Sequence, residues 1–201
     1  TGRSVFPQEM GGQPVGAYLL ITLDSDSDDQ LYTLLEQAAE LVLDAGAMDV
    51  LVADSPAKMR DAWASRSAFL EVIMEETKLL DECDVVVPVT KIASYLEFVN
   101  KTGEECGLVI RSFGHAGDGN LHIYECSNDL TEEEFKKRVD KFFDLIYKEA
   151  SAQGGLVSGE HGIGSGKIQY LIDSIGETNM ALMEGIKRVF DPKMILNPGK
   201  V

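Results

Sequence analysis

The chain has 201 residues, of which 44% are hydrophobic and 26% charged, a composition ordinary for a globular protein. Its 18 basic and 34 acidic side chains give a net charge of −16, which argues against nucleic acid and anionic membranes as partners. The longest apolar run, residues 15–23, is much shorter than the roughly 20 residues that a membrane-spanning helix needs. We therefore expect a globular protein without a transmembrane segment.

The three cysteines are Cys83, Cys106 and Cys126. They are odd in number, widely spaced and contain no Cys-x-x-Cys pair, so they are typical of reduced thiols rather than of a disulfide framework or a zinc site. This usage predicts a cytoplasmic protein.

Hydrophobic periodicity predicts alternating strands and helices in the first half of the chain. Residues 16–23 and 50–53 are short apolar runs that favour strands, and residues 31–42 repeat at helical spacing. Pro56 is expected to begin a second helix that runs to about residue 80. The apolar segment 84–88, which ends in proline, predicts a further strand.

The second half continues with a helical stripe at 91–100, strands at 107–113 and 121–126, and a long helix at 131–153. A glycine-rich loop and a last helical stretch follow, ending at residues 191–192. This order predicts a single α+β domain over residues 1–201. We expect a ferredoxin-like antiparallel sheet with helices packed on one face, plus C-terminal helices.

All three histidines lie in glycine-rich windows: His115 and His122 in GHAGDGNLH, and His161 in GEHGIG. If Asp118 and Gly119 form a two-residue type I′ turn, His115 pairs directly with His122, with Cβ atoms about 4.5–5.5 Å apart. Two imidazoles so placed can chelate one divalent cation. A turn of three or four residues would change this register.

A catalytic metal also needs a third protein ligand and an open position. Glu160 is the best candidate, because it is an anion on a flexible loop between glycines. His161 would then remain free as a general base, since an imidazole can accept a proton near neutral pH. Zinc, manganese and iron(II) all accept this ligand set, so the sequence does not select the metal.

Two other features keep alternatives open or exclude a function. Arg66 lies on a predicted helix beside the one tryptophan, where it could form a surface salt bridge or bind a carboxylate.

The segment 162–167 resembles a phosphate-binding loop, but the Walker pattern needs glycine where His161 stands and Ser or Thr where Ile168 stands. The dinucleotide pattern fails as well, because Lys167 occupies its third glycine position.

Three segments carry a family resemblance: GHAGDGNLH (114–122), SGEHGIGSGK (158–167) and FDPKMILNPGKV (190–201). They resemble the C-terminal domain of FAD-linked oxidases, the family of D-lactate dehydrogenases, the glycolate oxidase flavin subunit and D-2-hydroxyglutarate dehydrogenases. LLITLD, WASR and DVVVP also follow the family's order. The resemblance implies an enzyme in which an N-terminal domain, absent from this chain, holds FAD and this domain caps the flavin.

The resemblance also implies residue roles. The residues matching His115, His122 and Glu160 bind a divalent metal, typically zinc, and the residue matching His161 is the base. Arg66 matches the arginine that grips the substrate carboxylate, and Asn197 is a weaker candidate on the cofactor side. The implied reaction oxidises a 2-hydroxy acid to a 2-oxo acid by hydride transfer to flavin, which an electron acceptor then reoxidises. We expect this chain to be inactive alone.

Two positions depart from the family pattern. Val89 follows Pro88 where many relatives have arginine, and Glu82 stands near the place where the hydroxyglutarate-specific branch has lysine. An acidic residue there argues against a dicarboxylate substrate. It favours a small monocarboxylate such as D-lactate or glycolate.

Two other functions remain as alternatives. A stand-alone zinc hydrolase could use the same His, His and Glu ligands, with His161 activating a bound water. A non-catalytic ferredoxin-like binding module would hold no metal. The ending 190–201 favours the oxidase, because it suits a flavin-facing edge and has no obvious hydrolytic role. A cap domain without its partner would expose an apolar face, so we also expect it to form a homo-oligomer.

Overall fold

The structure is a computed structural model that describes residues 6–200 and divides into two compact units, with the boundary between Val72 and Ile73. The first unit holds a short hairpin of β1 (Glu9–Met10) and β2 (Gln13–Pro14), followed by helices α1 (Asp28–Asp44) and α2 (Pro56–Ser67). Helix α3 (Phe69–Glu76) spans the boundary.

Local capping chemistry explains where these helices begin. The Ser27 hydroxyl accepts the backbone N–H of Gln30, and the Ser55 hydroxyl accepts that of Lys58, each at 3.3 Å. Pro56 occupies the first turn of α2, where its missing N–H costs nothing. The predicted helix at 31–42 and the predicted start at Pro56 are therefore confirmed. The second helix does not reach residue 80, because a turn at Ala68 ends α2 and a strand begins at Leu79.

The strands predicted at 16–23 and 50–53 are wrong. Neither segment forms a strand or pairs with one within residues 6–200. A strand needs a neighbour for its N–H and C=O groups, which an apolar run alone does not supply. Leu19 and Leu51 are accordingly more than half exposed, at 64% and 55%.

The second unit contains a three-stranded antiparallel sheet in the order β3-β5-β4. Its strands are β3 (Leu79–Val86), β4 (Val109–His115) and β5 (Asn120–Ser127), and a short 3₁₀ turn (Val89–Lys91) leads into the next helix. The helices are α4 (Ile92–Cys106), α5 (Glu132–Ala152) and α6 (Ile168–Phe190), the last interrupted at Gly176.

Helices α4 and α5 pack on one face of this sheet and form the core. Alternate residues of the strands point into it, and these are joined by one stripe from each helix. The buried residues include Cys83, Val85, Leu121 and Ile123 from the strands and Tyr95, Val99, Phe142 and Ile146 from the helices. The predicted α+β class, with helices on one face of an antiparallel sheet, is confirmed.

The other face of the sheet carries polar residues. Asp84 lies opposite His122, and Glu82 lies opposite Tyr124, so all four side chains share this face. Every residue of the central strand β5 is buried, which means that this face is covered too. The polar face of β3 and β5 is therefore where the site is built.

All three cysteines are free and buried. No helix within residues 6–200 combines the length and the apolar character needed to cross a membrane.

Candidate metal and catalytic site

The turn between β4 and β5 has four residues, 116–119, so the predicted direct pairing of His115 with His122 is wrong. His115 pairs with Asn120, and His122 pairs with Phe113. The N–H groups of Asp118 and Gly119 both donate to the carbonyl of His115, at 3.2 and 3.1 Å. A type I′ turn needs positive φ at both central residues, whereas here only Gly119, at φ 80°, has it.

The two histidines still share a face of the sheet, as diagonal neighbours, with ring centroids 5.9 Å apart. Glu160 approaches both of them from the glycine-rich loop. Its Oε1 lies 3.0 Å from Nε2 of His122 and 3.7 Å from Nε2 of His115. The structure therefore brings His115, His122 and Glu160 together at one point.

These separations suit a metal. Two ligand bonds of the length zinc makes to nitrogen and oxygen, at a tetrahedral angle, place their donor atoms about 3.4 Å apart. The observed 3.0 and 3.7 Å lie on either side of that value. His122 is 5% exposed, while the side chains of His115 and Glu160 are about half exposed. The donor set is therefore anchored on one side and open on the other, as a catalytic site requires.

His161 joins the same cluster. Its ring stacks on that of His122, with centroids 4.8 Å apart and planes 30° apart. Its Nδ1 lies 3.2 Å from Oε1 of Glu82, which also lies 3.5 Å from Nδ1 of His122. Glu82, His122 and His161 thus form a second group of donor atoms close enough to hold a cation. His122 belongs to both groups, with one ring nitrogen facing each carboxylate.

Asp84 holds the loop that carries Glu160 and His161. Its Oδ2 accepts the hydroxyl of Ser158 at 2.7 Å and the backbone N–H groups of Gly159, Glu160 and His161 at 2.8–3.0 Å. Burial alone would favour a neutral carboxyl, but hydrogen bonds from His161, Ser158 and Asn120 together hold the pKa of Asp84 well below its usual range. Asp84 is therefore a charged anchor at neutral pH.

The loop passes very close to the sheet at Gly159. A Cβ there would overlap the side-chain amide nitrogen of Asn120. That amide donates to Oδ1 of Asp84 at 2.7 Å, so any displacement would also disturb the anchor. Glycine is required at this position because of the close approach.

Glu160 also lines a cavity of about 320 Å³ between the loop and α6. Its apolar lining includes Leu156, Ile163, Leu171 and Ile175.

The two remaining predicted residues lie elsewhere in the chain. Arg66 is in the first unit, on α2, with its guanidinium 5.8 Å from the centroid of the Phe69 ring. Asn197 is an exposed residue of the tail after α6, at φ 46°, and its carbonyl accepts the N–H of Lys200 at 3.2 Å. Asp191 shapes this tail, because its carboxylate accepts the N–H groups of Ile195 and Leu196.

Sequence reasoning missed Asp84 and gave Glu82 no part in the histidine cluster. A signal was available, because the two acidic residues are two positions apart in the segment 79–86, LLDECDVV, and residues two apart share a face of a strand. Their contacts with His122 and with the loop were not readable, since those depend on strand register and on chain segments far away.

A carboxylate and two imidazoles lie close enough together that they could hold one cation, and a third imidazole lies beside them. The chain matches the family described as FAD linked oxidases, C-terminal domain, over residues 4–201, and it belongs to that family. It is 58% identical over 200 residues to a D-lactate dehydrogenase of Anaerostipes hadrus, covering all of this chain and 42% of that protein.

Two further relatives are similar over most of the chain. A D-lactate dehydrogenase of Archaeoglobus fulgidus is 37% identical over 186 residues, covering 92% of this chain and 39% of that protein. The glycolate oxidase subunit GlcD of Bacillus subtilis is 30% identical over 193 residues, covering 94% of this chain and 40% of that protein. The chain thus spans about two fifths of the length of these relatives.

Proposed function

We propose that this chain is the metal-bearing substrate domain of an FAD-dependent 2-hydroxyacid dehydrogenase of the D-lactate or glycolate type. The observation that carries the proposal is the convergence of His115, His122 and Glu160 beside His161. The family membership and the names of the relatives support a flavin-linked oxidation rather than hydrolysis.

The residues of the chain take the following parts. His115, His122 and Glu160 would hold a divalent cation, zinc being our first choice and manganese or iron(II) the alternatives. When bound, the cation supplies a Lewis acid for the substrate oxygens, and FAD supplies the acceptor for the hydride. His161 accepts the hydroxyl proton as the C2–H bond breaks and the hydroxyl becomes a carbonyl.

Arg66 is our candidate for the substrate carboxylate, because a guanidinium can bind both oxygens of a carboxylate. Asn197 stays a weaker candidate on the cofactor side. Glu82, an anion beside the histidine cluster, disfavours a second carboxylate on the substrate. We therefore place D-lactate and glycolate ahead of D-2-hydroxyglutarate.

The proposal also includes partners and a location. We infer that an FAD-binding domain of the same protein and an electron acceptor complete the reaction. A cytoplasmic location is proposed from the three buried free thiols.

The test is anaerobic flavin reduction by the full-length protein. We expect D-lactate or glycolate to bleach the flavin and D-2-hydroxyglutarate to do so much more slowly. Arg66→Lys should raise KM by about tenfold or more, because the bidentate contact is lost. Arg60→Lys, on the same helix, is the matched control. Failure of all three acids with metal-replete protein would refute the proposal.

A further inference from the structure

One carboxylate oxygen of Glu82 lies close to two of the three histidines, His122 and His161. Oε1 of Glu82 lies 3.2 Å from Nδ1 of His161 and 3.5 Å from Nδ1 of His122. The hydroxyl of Tyr124 donates to the same oxygen at 3.1 Å. Glu82 therefore meets the same ring nitrogen, Nδ1, in each imidazole.

His122 needs an acceptor at that nitrogen. Its Nε2 faces Glu160, and its Nδ1 is buried without a hydrogen bond among the described residues. A histidine that binds a metal through one nitrogen carries its proton on the other, and this N–H is usually held by a carboxylate, a carbonyl or a water. A movement of a few tenths of an ångström would bring Oε1 of Glu82 within hydrogen-bond distance of Nδ1.

We propose that Glu82 is a positioning residue that keeps the proton on Nδ1 of both His122 and His161. Nε2 of His122 is then left for the metal, and Nε2 of His161 is left to take the substrate proton. The inference rests on the function proposed above. In the same way, a carboxylate that holds the Nδ1–H of a catalytic imidazole in a Ser-His-Asp triad fixes the orientation and the tautomer of the ring.

The sheet itself holds Glu82 in place. Glu82 and Tyr124 are direct partners in the β3-β5 pairing, so the hydrogen bond between them follows from the register. The Tyr124 ring stacks on Phe113 of β4, with centroids 5.1 Å apart and planes 26° apart. A positioning group on two paired strands is held more rigidly than one on a loop.

Metal ligation by Glu82, His122 and His161 is the competing arrangement, and Glu82→Gln separates the two. In the full-length protein we expect this variant to keep its metal and to lose about 10- to 100-fold in kcat. KM for D-lactate or glycolate should change by less than about threefold, because Glu82 contacts the imidazoles and Tyr124. Its proposed effect on substrate choice concerns a second carboxylate, which these acids lack. Glu97→Gln, which removes an exposed carboxylate from α4, should behave as wild type.

A double-mutant cycle tests whether Glu82 acts through His161. Glu82→Gln should cause a smaller loss of kcat in a His161→Ala background than in wild type, since one of the two imidazoles that it orients is gone. Tyr124→Phe should lower kcat in the same direction but less. Unchanged kcat in Glu82→Gln, fully additive losses, or loss of the metal would each overturn the inference. An active wild type that His161→Ala leaves unchanged would instead overturn the proposed function.

Discussion

The backbone N–H of His161 donates to Oδ2 of Asp84 at 2.8 Å, across 77 positions of the chain. Asp84 is in turn the direct partner of His122 in the sheet. The same carboxylate also accepts the N–H of Glu160. One buried side chain therefore sets the distance between the loop that carries Glu160 and His161 and the strand that carries His122.

Replacing this anchor should loosen the metal site. In Asp84→Asn only one of the two terminal atoms can still accept, so either the loop N–H groups or the Asn120 amide lose their acceptor. The negative charge is lost as well, and hydrogen bonds to a charged acceptor contribute about 1.5–3 kcal/mol each. We expect at least about tenfold weaker metal binding and faster amide exchange at residues 158–161. Elemental analysis and hydrogen exchange would measure these effects. Asp140→Asn, on the exposed face of α5, is the matched control, and equal metal content in both variants would contradict the expectation.

A methyl group at Gly159 should displace the same loop. The added Cβ would overlap the Asn120 amide, whereas Gly166, in the same glycine-rich segment, has open space at that position and no positive φ. We expect Gly159→Ala to lower kcat/KM by about 100-fold or more and Gly166→Ala to change it by less than about threefold. Similar kinetics for the two variants would mean that the loop does not need its close contact with β5.

The choice between the two donor groups is open to a direct test. If the metal is held by His115, His122 and Glu160, then His115→Ala and Glu160→Gln should lose it, while His161→Ala should keep about one ion per chain. His122→Ala should lose the metal in either arrangement. Elemental analysis of the purified full-length variants gives the answer. The reverse pattern, with metal kept in His115→Ala and lost in His161→Ala, would assign the ion to the group that contains Glu82.

Glu125 makes the core sensitive to pH. Its side chain is fully buried, and neither carboxylate oxygen has a hydrogen-bond partner among the described residues. Burial, and then the nearby charge of Asp81, raise the pKa of Glu125 well above its usual range. The folded state therefore keeps this proton at pH values where the unfolded chain has released it. The free energy of unfolding should fall as pH rises above about 4.3, the ordinary value for glutamate, until the folded pKa is reached.

Glu125→Gln should remove this contribution, because an amide does not titrate. Between about pH 5 and 8, protection of the β5 amides against hydrogen exchange should fall less steeply with pH in the variant than in wild type, after correction for the intrinsic exchange rate. The control is Glu97→Gln, which should keep the wild-type slope. If protection of the β5 amides falls with pH as steeply in Glu125→Gln as in wild type, another group causes the pH dependence.

Helices could be predicted from the sequence where neighbouring residues set their starts and their apolar stripes. Caps at Ser27 and Ser55 set the starts of α1 and α2, and the apolar stripes of α4 and α5 are likewise decided within a few residues. For this reason α1, α4 and α5 were predicted close to where they lie, whereas α2 was predicted correctly only at its start. The segments at 16–23 and 50–53 have the composition of strands but no strand partner within residues 6–200. Pairing is a long-range property, and composition alone predicted it wrongly.

By itself, the sequence determined which chemical groups the site could use. It has only three histidines, all in glycine-rich windows, and it has the motif residues that assign the chain to its family. Only the tertiary structure decided how these groups meet. The four-residue turn made His115 and His122 diagonal rather than opposite, and Glu82 and Asp84 of β3 became the contacts of His161. The reason is physical: register and loop anchoring depend on hydrogen bonds between segments far apart in the chain, and a local pattern carries no information about them.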